Sequence, residues 1–307
     1  MNHSIWIREA ASARDIDRFW AQLRAYFARD VFPDPESEER AYFLDGPEYP
    51  ADIQRLHERA ENRLRYLFFV RDGIEIGLAM AVVFDSEDGK CFIMEFCIYP
   101  EFRGGAGTAC ASALLDWSKA VGTKYWELNC SDERRIRFWA RLGFVPNGLD
   151  EWGEPLMLRR GEEPPVVIAN SAESWQLRRL ENGFLREIGE ERMDDARFDR
   201  LLSAMRDRRI QFFFAKTGMQ AVGMASVVRS FFTFPCADVG VFDDFYVLPA
   251  FRGQGIARML VRAARDWCAE NGLACLNVCC APCDEAMYSS LGFGAKLGIG
   301  LSIKTAE

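Results

Sequence analysis

The chain contains only two histidines among its 307 residues, and this scarcity limits the chemistry it can perform. His3 lies close to the start of the sequence, and His57 lies in a polar stretch with helical periodicity. We expect both at the surface, which disfavours a Ser-His-Asp triad and a histidine-rich metal centre. Proton transfer must then depend on Asp, Glu, Tyr, Cys, Lys or water.

Long apolar runs and a surplus of positive charge are also missing. No run reaches the roughly 18 apolar residues that a membrane helix needs, and the first residues lack the pattern of a signal peptide. We therefore expect a cytoplasmic protein without a membrane partner, whose ten cysteines remain thiols. The formal net charge of -8 disfavours a nucleic-acid partner, because binding phosphates needs clustered Lys and Arg.

The two halves of the chain share one order of predicted elements. Each begins with a strand and helices, continues with antiparallel strands and a glycine-rich loop that opens a helix, and closes with a strand, a helix and a strand. The last of these strands is predicted at 297–304. EFCIYPEFRG at 95–104 matches DFYVLPAFRG at 244–253, and a repeat of about 150 residues indicates duplicated domains.

A short polar segment with two prolines, GEEPP at 161–165, separates the halves and is typical of a linker. The sequence therefore predicts a mixed α/β (α+β) protein with domains at 1–160 and 166–307. In each, a mostly antiparallel central sheet is flanked by helices.

The sequence FRGQGIA at 251–257 predicts an anion-binding loop at the start of a helix. Gly253 and Gly255 allow successive backbone amides to point the same way, and the helix dipole adds positive potential. Arg252 supplies a fixed charge that can reach a phosphate. The sequence lacks the GK[ST] ending of a P-loop and the third glycine of a Rossmann fingerprint, which disfavours both nucleotide sites.

Two motifs carry a resemblance to a known family. YVLPAFRGQGIARML at 246–260 resembles the acyl-CoA pyrophosphate loop of the GNAT superfamily of N-acyltransferases, and MYSSLGF at 287–293 resembles that family's second signature. The resemblance covers nearly the whole chain. It implies acetyl-CoA as co-substrate, no metal, and a sheet in each domain that splays open after its fourth strand. The cofactor-binding residues it implies are Val247, Leu248, Arg252, Gly253, Gln254, Gly255, Ile256 and Ala257.

Acyl transfer from a thioester to an amine needs an oriented thioester, a deprotonated amine and a proton for the leaving thiolate. The position of Tyr288 in the family pattern implies a general acid, and that of Asp243 a candidate base acting through water. Neighbouring strand residues face opposite ways, so the sequence leaves open whether Asp243 or Asp244 lines the cleft. Because the first half carries Glu95 opposite Asp244, we assign this shared carboxylate to a structural role.

Three differences between the halves predict that only the second is catalytic. Trp139 stands where Tyr288 stands, and Met94 stands where Asp243 stands. From Arg103 to Asp116 is 13 positions, whereas the matching interval in the second half is 14, so the first glycine loop is one residue shorter. The first half is therefore expected to be degenerate in catalysis, and whether it binds CoA stays open.

Other features have alternative interpretations. CAPC at 280–283 has the spacing of a redox pair or of zinc ligands, although buried or cleft-lining thiols fit the surrounding pattern better. An acidic run either attracts a cationic amine or forms a solvated turn; it comprises Glu190, Glu191, Asp194 and Asp195. One group of phenylalanines is expected in the sheet core; it comprises Phe212, Phe213, Phe214, Phe231, Phe232 and Phe234.

The sequence therefore predicts an enzyme that moves an acetyl group from acetyl-CoA to a primary amine of a small molecule or peptide by direct attack. The alternatives are a non-catalytic acyl-CoA-binding or regulatory protein and a protein-lysine acetyltransferase. Neither the identity of the amine nor the oligomeric state, monomer or homodimer, can be inferred from the residues.

Overall fold

The computed structural model describes residues 5–161, 165–233 and 235–296, and the chain divides into two compact units, Met1–Glu163 and Pro164–Glu307. His3, Phe234 and the strand predicted at 297–304 lie outside the described residues. Among those described, no helix combines the length and the apolar character needed to cross a membrane.

The first unit alternates strands and helices in the predicted order. Its strands are Trp6–Glu9 (β1), Leu64–Arg71 (β2), Ile74–Val83 (β3), Lys90–Ile98 (β4), Tyr125–Asn129 (β5), Val145–Leu149 (β6) and Pro155–Arg160 (β7). Its helices are Ala13–Tyr26 (α1), Glu38–Arg40 (α2), Glu48–His57 (α3), Ala106–Ala120 (α4) and Glu133–Arg141 (α5). Hydrophobic periodicity does not predict β6; it predicts a first helix over 13–30, but α1 ends at Tyr26 and a π-helical turn follows.

Within residues 5–161 the strands form one sheet in the order β1-β2-β3-β4-β5-β7-β6. Neighbouring strands are antiparallel except β4 and β5, which pair in parallel through three residues only, Lys90, Cys91 and Phe92. Beyond Phe92 the two strands part, so β4 splays away from β5 as the family resemblance implied. Buried side chains form one core on each face of this sheet.

The second unit repeats this plan. Its described strands are Val167–Ala169 (β8), Ile210–Thr217 (β9), Gln220–Phe232 (β10), Ala237–Val247 (β11) and Leu276–Val278 (β12). Its described helices are Ser174–Glu187 (α6), Asp195–Arg206 (α7), Ile256–Glu270 (α8) and Glu285–Ser290 (α9). The sheet order is β12-β11-β10-β9-β8, and β11 pairs in parallel with β12 only from Gly240 to Phe242. From Asp243 onward β11 therefore has no pairing to β12.

Several predictions about burial are tested by these two sheets. Phe212, Phe213 and Phe214 are buried in the core, as predicted. Phe231 and Phe232 are exposed, so their assignment to the core is wrong: β10 extends past its last pair with β9, and its tip has only β11 beside it.

The surface position expected for His57 is only partly right. Its ring is half-buried, packs 4.6 Å from the ring of Tyr66, and its Nδ1 lies 2.8 Å from the carbonyl oxygen of Leu64. The helix end therefore uses this side chain as a structural contact to β2.

Candidate functional site

A β-bulge in β11 determines which carboxylate of the second unit faces inward. Met224 pairs with Tyr246 and Ser226 pairs with Asp243, so the single residue between them on β10 faces two residues on β11. Asp244 is one of these two and has a φ of +37°, which lies in the left-handed region. Asp243 is exposed, whereas Asp244 is half-buried and accepts a hydrogen bond of 3.2 Å from Ser226 Oγ.

Burial and the neighbouring charge of Asp243 raise the pKa of Asp244 to about 6, against a partial lowering by the Ser226 hydrogen bond. A carboxyl with this pKa is mostly ionised at neutral pH and still basic enough to accept a proton. These are the properties of a general base.

A third carboxyl, Glu181, joins this pair from α6. Its side chain is 2% exposed because it lies on the buried face of the helix, beside Leu177 and Leu180. Burial, and then the charges of Asp244 and Asp243, raise its pKa to about 9. Helix α6 comes close to β11 here: a Cβ on Gly183 would stand only 2.7 Å from the ring of Tyr246.

Tyr288 lies on α9, on the side from which β12 has parted. Its half-buried ring lies 6.0 Å from that of Phe245 and 5.8 Å from that of Phe293. Burial, and then the charges of Asp284, Cys280 and Asp243, raise its pKa to about 12. The phenol is therefore protonated at neutral pH and lies within electrostatic reach of Asp243.

The glycine loop after β11 has the geometry of an anion cradle. Gly255 is the N-terminal cap of α8 with a φ of +82°, and no atom lies within 4 Å of the place where its Cβ would stand. The open space lies at the positive end of a 15-residue helix. Gly253, also in the left-handed region, and Gln254 are exposed, Ile256 is buried, and Ala257 lies half-buried in the first turn.

Beyond Phe242, one edge of β11 is no longer paired with β12, and we call the gap at this edge the splay. The backbone N–H of Leu248 donates to the carbonyl oxygen of Val222, so it is engaged within the sheet. Because successive residues of a strand direct their amides to alternate sides, the amide of Val247 faces away from β10, toward the splay. Val247 and Leu248 were both predicted to contact the cofactor, and of these two Val247 is the residue whose backbone amide is available as a donor.

Arg252 is held by the protein itself. Its Nε donates to the carbonyl oxygen of Val247 at 2.9 Å, and its Nη2 pairs with the carboxylate of Glu187 at the end of α6. In the first unit Arg103 makes the same two kinds of contact, to the carbonyl oxygen of Ile98 and to Asp30. This arginine therefore fixes the loop to β11 and α6, a role the sequence did not indicate.

The first unit contains a cavity of about 550 Å³ at the matching place. Its walls are the splayed part of β4, the glycine loop, α5, and Tyr26 and Asp30 at and after the end of α1. They include Phe96, Cys97, Ile98, Arg103, Gly104, Gly105, Gly107, Arg134, Arg135, Phe138, Trp139 and Arg141. Trp139 packs on Phe96 and Phe144 as Tyr288 packs on Phe245 and Phe293, which places the two residues at equivalent positions.

The helix that follows the first loop starts earlier than its counterpart. Its capping residue is Gly105, two positions after Arg103, whereas Gly255 comes three positions after Arg252. The missing residue therefore lies in the loop, since α4 and α8 are both 15 residues long. Glu95, which matches Asp244, has its pKa raised to about 8 by burial, against an opposing effect of Arg135.

Comparison with protein-family models finds the acetyltransferase (GNAT) family twice in this chain, at residues 22–144 and 174–293. Together the two matches span well over half of the sequence. The chain belongs to the GNAT family. It is a tandem GNAT protein with two such domains, and the family's fold supports acetyl transfer, generally from acetyl-CoA.

Several solved structures are similar to about half of this chain. A glucosamine-6-phosphate N-acetyltransferase from Arabidopsis thaliana is 19% identical, with a TM-score of 0.40, over 47% of this chain and 100% of its own. For putative acetyltransferases from Pyrococcus furiosus and Agrobacterium tumefaciens the identities are 17% and 18% and the TM-score is 0.39 for each. They cover 46% and 45% of this chain, and 100% and 99% of their own. No curated protein sequence matches the chain significantly.

The acidic run and the CAPC segment were the other candidate functional features of the sequence. In the acidic run, Asp194 caps α7, Asp195 pairs with Arg178 at 2.6 Å, and Glu190 and Glu191 are exposed, which favours the solvated turn. Cys280 and Cys283 are exposed rather than buried. Across the part of the chain that the structure describes, no three His, Cys, Asp or Glu side chains are grouped to hold a metal ion.

Three functional features were missed by sequence reasoning. Glu181 had a signal, because it is a charged residue on the apolar stripe of a helix. Arg134 and Arg141 stand seven positions apart, which puts them on one side of α5, and both line the cavity together with Arg135. The bulge at Asp244 had none, because the residues of β11 before it do not alternate regularly between buried and exposed, so an extra residue interrupts no clear pattern.

Proposed function

We propose that the second unit transfers an acetyl group from acetyl-CoA to a primary amine. The observation that carries this proposal is the convergence of three features where β11 leaves β12: the glycine cradle at Gly255, the phenol of Tyr288 and the carboxyl of Asp244. Each meets one need of thioester aminolysis: orientation, a proton donor and a proton acceptor.

The glycine loop supports acetyl-CoA as the acetyl donor. The open position at Gly255 leaves room for phosphate oxygens against the amides of the first turn of α8, and a side chain there would fill it. Acetyl-CoA supplies the acetyl group as a thioester. Val247 offers its amide along the splayed edge of β11, and Arg252 keeps the loop in place.

Tyr288 acts as the general acid in this proposal. Its hydroxyl group carries a proton at neutral pH and gives it to the leaving thiolate. The rings of Phe245 and Phe293 hold the phenol at the splay.

Asp244 is the better candidate for the base, although the sequence pointed to Asp243. Asp244 is half-buried and held by Ser226, and a pKa of about 6 suits a base that works near pH 7. Asp243 is exposed and acts on its neighbour through its charge.

The pH dependence tests this assignment. We expect Asp244→Asn to lower kcat/KM by about 10²-fold or more, as for the loss of a general base. In the unmodified protein, kcat/KM should fall as the pH drops through about 6, because the raised pKa means that the active, ionised carboxylate is lost there. Steady-state rates of CoA release between pH 5 and 8 measure both effects.

Asp243→Asn is the matched control. It removes a negative charge that raises the pKa of Asp244, so the acid limb of the profile should move to lower pH, with a loss of activity below about 10-fold. If Asp243→Asn abolishes turnover and Asp244→Asn does not, Asp243 is the base.

A second function, acyl-CoA binding without acetyl transfer, is supported for the first unit. The cavity of about 550 Å³ joins the glycine loop to the splayed β4 and carries four arginines. Glu95 stands where Asp244 stands, so the departures that remain are Trp139, whose indole does not release a proton at neutral pH, and the shorter loop.

Native mass spectrometry of the full chain with added CoA tests this second function. We expect two CoA molecules per chain, one in each unit. A Gly107→Glu variant should reduce the number to one, because a side chain at this position would come within 3.4 Å of Phe138 and put a carboxylate into the cavity. A stoichiometry of one for the unmodified chain would show that the first unit does not bind CoA.

The overall proposal is tested by following CoA thiol release from acetyl-CoA with a panel of primary amines and lysine peptides. We expect turnover with at least one small amine. Tight CoA binding without turnover on any acceptor would favour the non-catalytic alternative, and turnover on peptides alone would favour a protein-lysine acetyltransferase.

A further inference from the structure

Three acidic side chains of the second unit interact electrostatically, and one of them has a buried oxygen without a partner. Asp243 and Asp244 lie on β11, and Glu181 lies on the buried side of α6, whose Gly183 packs against Tyr246 of β11. Oε1 of Glu181 is buried and has no hydrogen-bond partner among the residues that the structure describes. A buried carboxyl oxygen without a partner is costly, which points to a group that binds there.

Comparison of the two units shows that the fold itself does not require Glu181. Helix α1 of the first unit, which packs on its sheet as α6 packs on β11, turns Phe19, Leu23 and Tyr26 inward. No acidic side chain lies on its buried face. The carboxyl at Glu181 is therefore a feature of the second unit and not a structural need of the shared architecture.

The charge of the cluster identifies the kind of group it takes. The charges that act on Glu181 are those of Asp244 and Asp243, both acidic, and Asp244 accepts a hydrogen bond from the neutral hydroxyl of Ser226. A protonated amine supplies up to three donors and one positive charge, which suits a site whose interacting ionisable groups are all acidic. Because the pKa of Glu181 is raised to about 9, its carboxyl holds a proton in the free protein, and a bound ammonium group would favour the ionised form and release that proton; a neutral or anionic group would not.

We propose that the acceptor of the second unit is a diamine or polyamine, whose second, protonated amine binds Glu181 beside Asp243 and Asp244. The inference rests on the proposed acetyl transfer and adds the substrate class. While one amine loses its proton to the Asp244 carboxylate and is acetylated, the other keeps its proton and is held by Glu181. Glu181 is thus a specificity residue and takes no part in the proton transfers.

Two amines with the same four-carbon chain, 1,4-diaminobutane and 1-aminobutane, test the proposal in the full-length protein. We expect kcat/KM to be about 10-fold or more higher for the diamine, after correction for its two equivalent amines, because a charge-assisted hydrogen bond to a buried group is worth at least that factor. In Glu181→Gln the preference should fall to within about 3-fold, through loss of diamine activity and not of monoamine activity. Glu270→Gln, which changes an exposed carboxylate at the end of α8, should keep the full preference.

Equal kcat/KM values for the two amines, or a diamine preference that survives Glu181→Gln, would overturn the proposal while acetyl transfer itself stands. Calorimetric titration with 1,4-diaminobutane recognises the opposite case, in which the cation site exists but acetyl transfer does not occur. If neither amine is acetylated but the diamine binds and Glu181→Gln removes that binding, the cation site stands and the proposed reaction is wrong. If Glu181→Gln changes the melting temperature strongly, Glu181→Asp should keep the fold and part of the preference.

Discussion

Tyr288→Phe should lower kcat by about 10²-fold or more, the usual contribution of a positioned general acid. The substitution removes one oxygen and keeps the ring, so the contacts with Phe245 and Phe293 remain. The KM for acetyl-CoA should stay within a few-fold, because the hydroxyl acts on the leaving thiolate and not on the bound phosphates. Steady-state kinetics with saturating amine measure the two values separately.

Tyr246→Phe is the control for this experiment. Tyr246 is a buried tyrosine of β11 whose ring packs against α6 at Gly183, and its hydroxyl has no proposed part in the reaction. Loss of its oxygen should change kcat by less than about 3-fold, because no interaction made in the transition state is removed. If Tyr288→Phe behaves like this control, another donor protonates the thiolate.

The fold was predictable from the sequence because its signals are local. The apolar segment LRYLFFVR at 64–71 forms β2 from end to end, and QAVGMASVVRSFF at 220–232 forms β10, since apolar runs and tight turns set the boundaries. Trp139 and Tyr288 each stand three residues before an LGF segment, at 142–144 and 291–293, and this match reappears as matching aromatic contacts. Strand β6 was missed because VPNGL carries Pro and Gly and is mostly exposed, so the pattern of a half-buried strand is absent.

The choice between Asp243 and Asp244 could not be read from the sequence, because it depends on one extra residue in a ladder. Ser226 pairs with Asp243 and Met224 with Tyr246, and at this shift Asp244 is half-buried and bonded to Ser226 while Asp243 is exposed. A strict alternation of faces fails at such a bulge. The shared carboxylate was expected to be structural; the raised pKa values of Asp244 and Glu95 support instead the chemical role that we propose for Asp244.

The interaction of Arg252 was also beyond sequence reasoning. An arginine beside a glycine loop suggests a phosphate contact, but this side chain donates to its own strand and pairs with Glu187. Glu187 lies 65 positions away in the chain, and only the packing of α6 on β11 brings the two together. The anion cradle of the second unit therefore depends on backbone amides and the helix dipole more than on this charge.

Gly255→Asp tests that dependence, and we expect it to abolish CoA binding at the second unit. The new carboxylate would stand in the open space at the N-terminus of α8, where it takes the place of phosphate oxygens and repels them. An aspartate is favourable at a helix N-terminus, although the φ of +82° is strained for it, so the fold should survive. Native mass spectrometry should show one CoA molecule fewer per chain, and acetyl transfer should be lost.

Gly272→Asp is the matched control, because it places the same side chain at the other end of α8. Gly272 also has a positive φ, +71°, and no atom lies within 4 Å of its absent Cβ. The backbone strain and the added charge are thus the same, but this end of the helix carries the negative end of the dipole and no phosphate site. CoA binding and turnover should therefore remain. If both variants lose CoA, backbone strain or charge is responsible; if neither does, the second unit holds its anion at a place other than Gly255.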